Sequence, residues 1–204
     1  MSAVATSPAK KLMTADEFYE FCNLPRNENK SFELVRGEVI EMPGPSVYHG
    51  VVIMNVGIEL KMYARRVKQG YVAGNDAGVR LEEEPDTIRG PDVAYYTETS
   101  DEAQIPRKWA VIPPVLAVEV SSPSDRPGRI NAKVRDYLSN GVKLVWLIDT
   151  EDRKVSIYRP NRTLEVIDET AELTGGEELP GFSCPVRNLF SSDGQIGATS
   201  PKTP

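Results

Sequence analysis

Three charged residues stand where packing alone would not ask for charge: Asp92 behind Pro91 at the head of PDVAYY, Glu119 near the end of VLAVEV, and Lys133 inside the helical pattern RINAKVRDYLSN. In a strand, Val115, Ala117 and Glu119 share one face and Leu116, Val118 and Val120 the other. Glu119 therefore leaves a mostly apolar strand, where an ionised carboxylate must be paired with a cation, bind a metal or take up a proton. Two carboxylates on neighbouring strand ends repel each other. A shared hard cation, Mg²⁺ or Mn²⁺, held by carboxylate oxygens, a main-chain carbonyl and waters, resolves that repulsion. The carbonyl of Val120, one residue past Glu119, is the neutral ligand best placed to join it. Such a cation acidifies bound water and stabilises charge on a phosphate oxygen, while the Lys133 ammonium orients the nucleophile or neutralises developing charge. The chemistry this set fits is phosphodiester hydrolysis. The alternative is structural, with Asp92 as a turn residue and Glu119 salt-bridged to Lys133.

The elements that must position these residues follow from the pattern. Val115–Val120 is a near-continuous apolar run, as in a central strand covered on both faces. A loop follows, then a helix over 129–140 ended by Gly141, then the buried strand KLVWLID: a right-handed crossover joining parallel strands. At about 100° per residue, Ile130, Val134, Tyr137 and Leu138 form the helix's apolar stripe. Lys133 lies at its edge, able to reach inward, while Arg135 and Asp136 point elsewhere and Arg126 and Arg129 lie near the same end.

Upstream, Thr14 and Glu17 form a capping box at the head of a short helix ending near Cys22. SFELVRGEVIEM predicts a tight hairpin around Arg36-Gly37 with Glu33 opposite Ile40. Glu33 has two readings there, a solvent-facing position or a place in the site. Ser46 caps a long helix over 47–67 with the stripe Val51, Met54, Ile58 and Met62, broadened by Val52, Val56 and Leu60. Its last turns carry Lys61, Arg65, Arg66 and Lys68, which complement the helix dipole or contact nucleic acid. His49, the only histidine, cannot build a multi-histidine metal site and reads as structural or substrate-orienting. The turn signals between Tyr71 and Thr97 predict an antiparallel meander, and residues 97–114 a long loop with a short helix around Ala103. A hairpin around Asn161-Arg162 and a short helix with Val186, Leu189 and Phe190 close the chain.

With 204 residues, the chain suits one domain over 13–190, a flexible tail over 1–12 and a disordered tail over 191–204. A charged content of 26% and a hydrophobic content of 40% are those of a soluble globular protein. The net charge of −6 argues against sequence-blind attraction to nucleic acid. Cys22 and Cys184 read as reduced thiols, and the N-terminus has no apolar leader or anchor, so the expected location is the cytoplasm, away from membranes. One histidine and no nucleophile elbow leave a serine triad or a zinc site without support.

A proline-aspartate pair, a glutamate ending a buried strand and then a lysine are together similar to the PD-(D/E)XK nuclease superfamily. Within it, FELVRGEVIEMPGPS, a histidine opening the long helix, GVRL before RGPDVAYY, VEVSSPSDR, NAKVRDYLSNGV and WLID resemble the Uma-type family of restriction-endonuclease-like proteins, from about Phe18 to Phe190. The resemblance implies an α/β (α+β) fold: a restriction-endonuclease-like core, a mixed β-sheet flanked by helices, with an N-terminal and a C-terminal hairpin. It implies a Mg²⁺- (or Mn²⁺-) dependent endonuclease acting on DNA, with Asp92 and Glu119 as metal ligands, and cutting both strands would favour a homodimer. Where the superfamily lysine would stand, two residues after Glu119, this chain has Ser121, and Lys133 is the natural replacement. Glu33 resembles the family's N-terminal acidic residue, which binds metal through water or holds the lysine. The alternative is a catalytically inactive nuclease-fold protein acting as a binding or assembly module, favoured by the acidic charge and the lack of a DNA-reading module.

Overall fold

The computed structural model of the chain describes residues 11–121 and 127–192. Helix α1 (Ala15–Cys22) begins with the expected capping box: Thr14 accepts from the Glu17 amide, and Glu17 accepts in return from the Thr14 amide at 3.0 Å. Its Phe18 is fully buried beside Leu34 and Ile88 and stacks on Trp109 at 5.5 Å. Strands β1 (Ser31–Val35) and β2 (Glu38–Met42) turn through Arg36 and Gly37, both at positive φ, and the register sets Glu33 against Ile40 as the sequence predicts. Ser46 accepts from the His49 amide and starts α2 (Val47–Val67).

Strands β3 (Tyr71–Gly74), β4 (Val79–Glu82), β5 (Thr87–Arg89) and β6 (Val93–Tyr96) are not the single meander expected. β4 and β5 pair with each other and join the first hairpin in a four-stranded sheet of order β2-β1-β5-β4, whereas β3 pairs with β6 in another sheet. The chain crosses between the two sheets at residues 75–78 and again at Gly90-Pro91-Asp92, a division that turn signals alone do not encode. The loop after β6 carries the short helical turn expected near Ala103, at Glu102–Gln104.

Strand β7 (Leu116–Ser121), helix α3 (Pro127–Ser139) and β8 (Leu144–Asp149) form the crossover, with β7 and β8 parallel. β9 (Lys154–Tyr158) and β10 (Glu165–Asp168) add the predicted hairpin, completing a six-stranded mixed sheet of order β10-β9-β8-β7-β6-β3. β11 (Glu172–Thr174) and β12 (Ser183–Pro185) pair separately, and α4 (Val186–Leu189) closes the chain with Val186, Leu189 and Phe190 buried. Three-residue strands carry too little alternation to be read from pattern, which is why the β11–β12 hairpin escapes the sequence analysis.

The alternation of β7 sorts the core into two layers. Leu116, Val118 and Val120 pack with Val52, Val56 and Leu60 of α2, while Ala117 packs with Val134 and Tyr137 of α3. Each large side chain buried this way stabilises the fold by roughly 1.5–3 kcal/mol. The face that α2 buries differs from the predicted stripe. Val52, Asn55, Val56, Leu60 and Tyr63 are buried, whereas Met54, Ile58 and Met62 are exposed at 63%, 42% and 59%. The helix carries apolar residues on two opposite sides, and period alone cannot say which side meets the sheet. Asp136, expected to point outward, is buried as well. No helix among the described residues is long and apolar enough to cross a membrane. The tails over 1–10 and 193–204, and Arg126, lie outside the described residues.

Candidate active site

The seam between the two sheets gathers Asp92, Glu119, Lys133 and Glu33, all between 3% and 8% exposed. Backbone chemistry at the end of β7 explains part of the convergence. Continuing the β6–β7 register, which pairs Val93 with Val118, sets Val120 against Pro91, and a proline has no N–H to offer its carbonyl. The Val120 amide instead donates to Asp92 Oδ2 at 2.6 Å, and the Val120 carbonyl lies 2.9 Å from His49 Nε2. His49 Nε2 is also 3.5 Å from Asp92 Oδ2, so the histidine that the sequence left outside the chemistry stands against two of its members.

Lys133 reaches inward from the second turn of α3. Its ammonium contacts Glu119 Oε2 at 2.7 Å and Glu33 Oε1 at 3.1 Å, and donates to the Gly90 carbonyl at 3.1 Å. Three acceptors match the three N–H donors of an ammonium. Tyr137, one turn on, donates to Glu119 Oε1 at 2.7 Å. Glu33 thus takes the second of its two readings: it is buried and also accepts from the Gly90 amide at 3.1 Å and from Arg89 Nη1 at 2.7 Å. Arg89 turns its other edge to Asp136 Oδ2, with Nε at 3.0 Å and Nη2 at 2.5 Å.

The electrostatics follow from this crowding. Burial pushes the Glu119 carboxyl up to about 8, against the pull of Lys133. Burial alone would lower the Lys133 ammonium, but Glu119, Glu33 and Asp92 outweigh it and raise it above its ordinary value. Burial likewise works against the ionised Glu33, yet Lys133, Arg89 and the Gly90 amide hold it below the usual carboxylate range.

Asp92, Glu119, the Val120 main chain and Lys133 open on one pocket of about 440 Å³, which Ser46, His49 and Arg129 also line. The Asp92 and Glu119 carboxylates and the Val120 carbonyl are hard oxygen ligands that fit Mg²⁺ or Mn²⁺ with water completing the shell. No group of three or more His, Cys, Asp or Glu among the described residues is arranged to hold a metal, so a cation here would depend on the carbonyl and water.

Sequence reasoning missed four contributors. Asp76 lines the pocket from the β3–β4 turn, and burial together with Asp92 raises its carboxyl pKa. It sits close enough to Gly90 that a Cβ there would lie 2.8 Å from the Asp76 carbonyl oxygen, a contact visible only in three dimensions. Arg89, beside the turn signal Gly90-Pro91, carries no sequence cue to its partners Glu33 and Asp136. Asp136 and Tyr137 carried a usable signal, since positions three and four after Lys133 share its helix face.

The mixed sheet and its crossover helix are those of a restriction-endonuclease-like fold. The family model Uma2, described as "Putative restriction endonuclease", matches residues 15–187, and the chain belongs to that family. A solved structure from Anabaena variabilis, a "putative nuclease belonging to DUF820", is similar over 87% of this chain and 97% of its own, with a TM-score of 0.73 and 21% identity. At that identity the likeness is one of fold. No significant match is found among curated proteins.

Proposed function

We propose that this protein is an endonuclease that hydrolyses phosphodiester bonds in DNA with the help of Mg²⁺ or Mn²⁺. Asp92, Glu119 and the Val120 carbonyl hold the cation, which supplies an acidified water and charge stabilisation at phosphate. Lys133 orients the attacking water and offsets negative charge in the transition state. Glu33 keeps that lysine charged and aimed, and Arg89 and Tyr137 hold Glu33 and Glu119 in turn. The observation that carries this reading is the opening of Asp92, Glu119, the Val120 main chain and Lys133 on one pocket, because a structural Glu119–Lys133 pair would not need Asp92 beside it. All three donors of Lys133 are engaged by protein acceptors, so a water that uses Lys133 takes the place of one of them. The test is nicking of supercoiled DNA in Mg²⁺ or Mn²⁺. Nicking is expected to fall at least ~100-fold in Asp92→Ala and in Lys133→Ala with far-UV circular dichroism unchanged. Activity equal to wild type in both variants would sink the reading.

A binding or assembly role is the second reading. It is favoured by the self-satisfied character of the cluster, in which both Glu119 oxygens and the Lys133 donors already have protein partners. Calorimetric titration with Mn²⁺ separates the two: a saturable site lost in Glu119→Gln excludes the simplest form of the second reading.

A further inference from the structure

Six of the twelve large hydrophobic side chains exposed among the described residues sit on α2: Val47, Tyr48, Met54, Ile58, Met62 and Val67. At 100° per residue, Val47, Val51, Met54, Ile58 and Met62 fall within an arc of about 80°, on the side opposite Val52, Val56, Leu60 and Tyr63. The core therefore leaves this second stripe uncovered. Its spacing of four, three, four and four residues is that of a helix–helix seam, and an uncovered apolar stripe of this length marks an interaction surface.

For a second copy of the same helix, the charge pattern selects the orientation. Lys61 and Arg65 continue the same stripe at its C-terminal end, and the only acidic residue of the helix, Glu59, is turned toward Asn188. Parallel pairing with a second α2 would set these cations against their own copies. Antiparallel pairing sets them beside the uncharged first turns and opposes the helix dipoles. A two-fold axis crossing the helix between Met54 and Ile58 is self-complementary. It puts Met54 against Ile58 of the second copy and Met62 against Val51, which lies on the same side of the stripe.

We propose that this face of α2 is an antiparallel two-fold interface between two copies of the chain. The same register brings Arg65 of the second copy to the first turn of α2, the turn that carries Ser46 and His49 into the pocket. Only this last consequence rests on the nuclease reading; the interface itself does not.

Sedimentation equilibrium of the full chain at ~50 μM tests it, since a Kd of about 1 μM would leave most chains paired there. The expected mass is twice 22.6 kDa. The double variant Met54→Glu/Ile58→Glu is expected to sediment as a monomer with unchanged circular dichroism. A monomeric wild type, or a dimer that survives both substitutions, overturns the proposal. Orientation is read by oxidising an equimolar mixture of Val51→Cys and Met62→Cys chains in a Cys22→Ser background. A disulfide-linked pair is expected from the mixture and not from either chain alone, and equal yield from Met62→Cys by itself overturns the antiparallel arrangement. Neither measurement depends on DNA cleavage, so failure here is distinct from failure of the nuclease reading.

Discussion

Arg89 lies behind the pocket wall, yet it holds the site together, because its guanidinium joins Glu33 to Asp136 at only 3% exposure. Removing one partner from a buried ion network leaves the others uncompensated at a cost of about 3–5 kcal/mol. Lys133 still contacts Glu33, and Arg36 Nη2 lies 3.4 Å from Asp136, so Arg89→Ala belongs at the lower end of that range. Urea unfolding of the variant is expected to show a loss of about 3 kcal/mol. Glu33 carries the matching pH dependence. Its folded pKa lies below its ordinary value of 4.5, so below that value the unfolded chain binds the proton more readily. The stability from Glu33 is therefore present above about pH 4.5 and is lost as pH falls through the folded pKa. Unfolding curves between about pH 6 and pH 3 are expected to show a shallower acid limb in Glu33→Gln, which has no proton to gain and starts from lower stability.

Among the elements, the bridge from β5 to β6 is closely packed. Gly90 gives its amide to Glu33 and its carbonyl to Lys133, and a Cβ on it would lie 2.8 Å and 2.9 Å from the Asp76 carbonyl oxygen and Cβ. Asn75 and Asp76, both at positive φ, form the turn that presses against it. Gly90→Ala must push that turn and the bridge apart. A loss of about 1–3 kcal/mol in thermal or urea unfolding is expected, typical of overpacking, together with reduced DNA nicking because Asp92 follows two residues later. Helix α3 is the other sensitive element. Lys133 reaches Glu119 from this helix, so its aim depends on how Val134 and Tyr137 seat the helix on the sheet.

Across the whole molecule, the segment through Ser191 is held in place from the long helix α2. Asn55, buried in α2, donates to the Leu189 carbonyl at 3.1 Å and the Ser191 carbonyl at 2.9 Å. Leucine at this position would fill the space but leave both carbonyls without that donor, at a cost of about 1–3 kcal/mol. Asn55→Leu is expected to lower stability by that amount and to speed limited proteolysis near α4, read as loss of the C-terminal fragment by mass spectrometry. The basic end of α2 divides in a similar way. Arg66 is committed to structure, donating to the Gly181 carbonyl at 2.7 Å and lying over the Tyr63 ring, whereas Lys61 and Arg65 remain exposed.

The sequence by itself determined what local rules can reach. The capping box at Thr14, the hairpin register that faces Glu33 with Ile40, the parallel crossover and the inward edge of Lys133 are all legible from residue type and period. Tertiary structure decided what depends on opposing surfaces. It chose Val52, Val56 and Leu60 over Met54 and Ile58 as the buried face of α2, because only the sheet's own contour selects between two apolar stripes. It divided the predicted meander between two sheets, and it brought Asp76, Arg89, Asp136 and His49 to the seam. Those four residues gain their roles from charges contributed by elements distant in sequence, and a one-dimensional pattern holds no record of those distances.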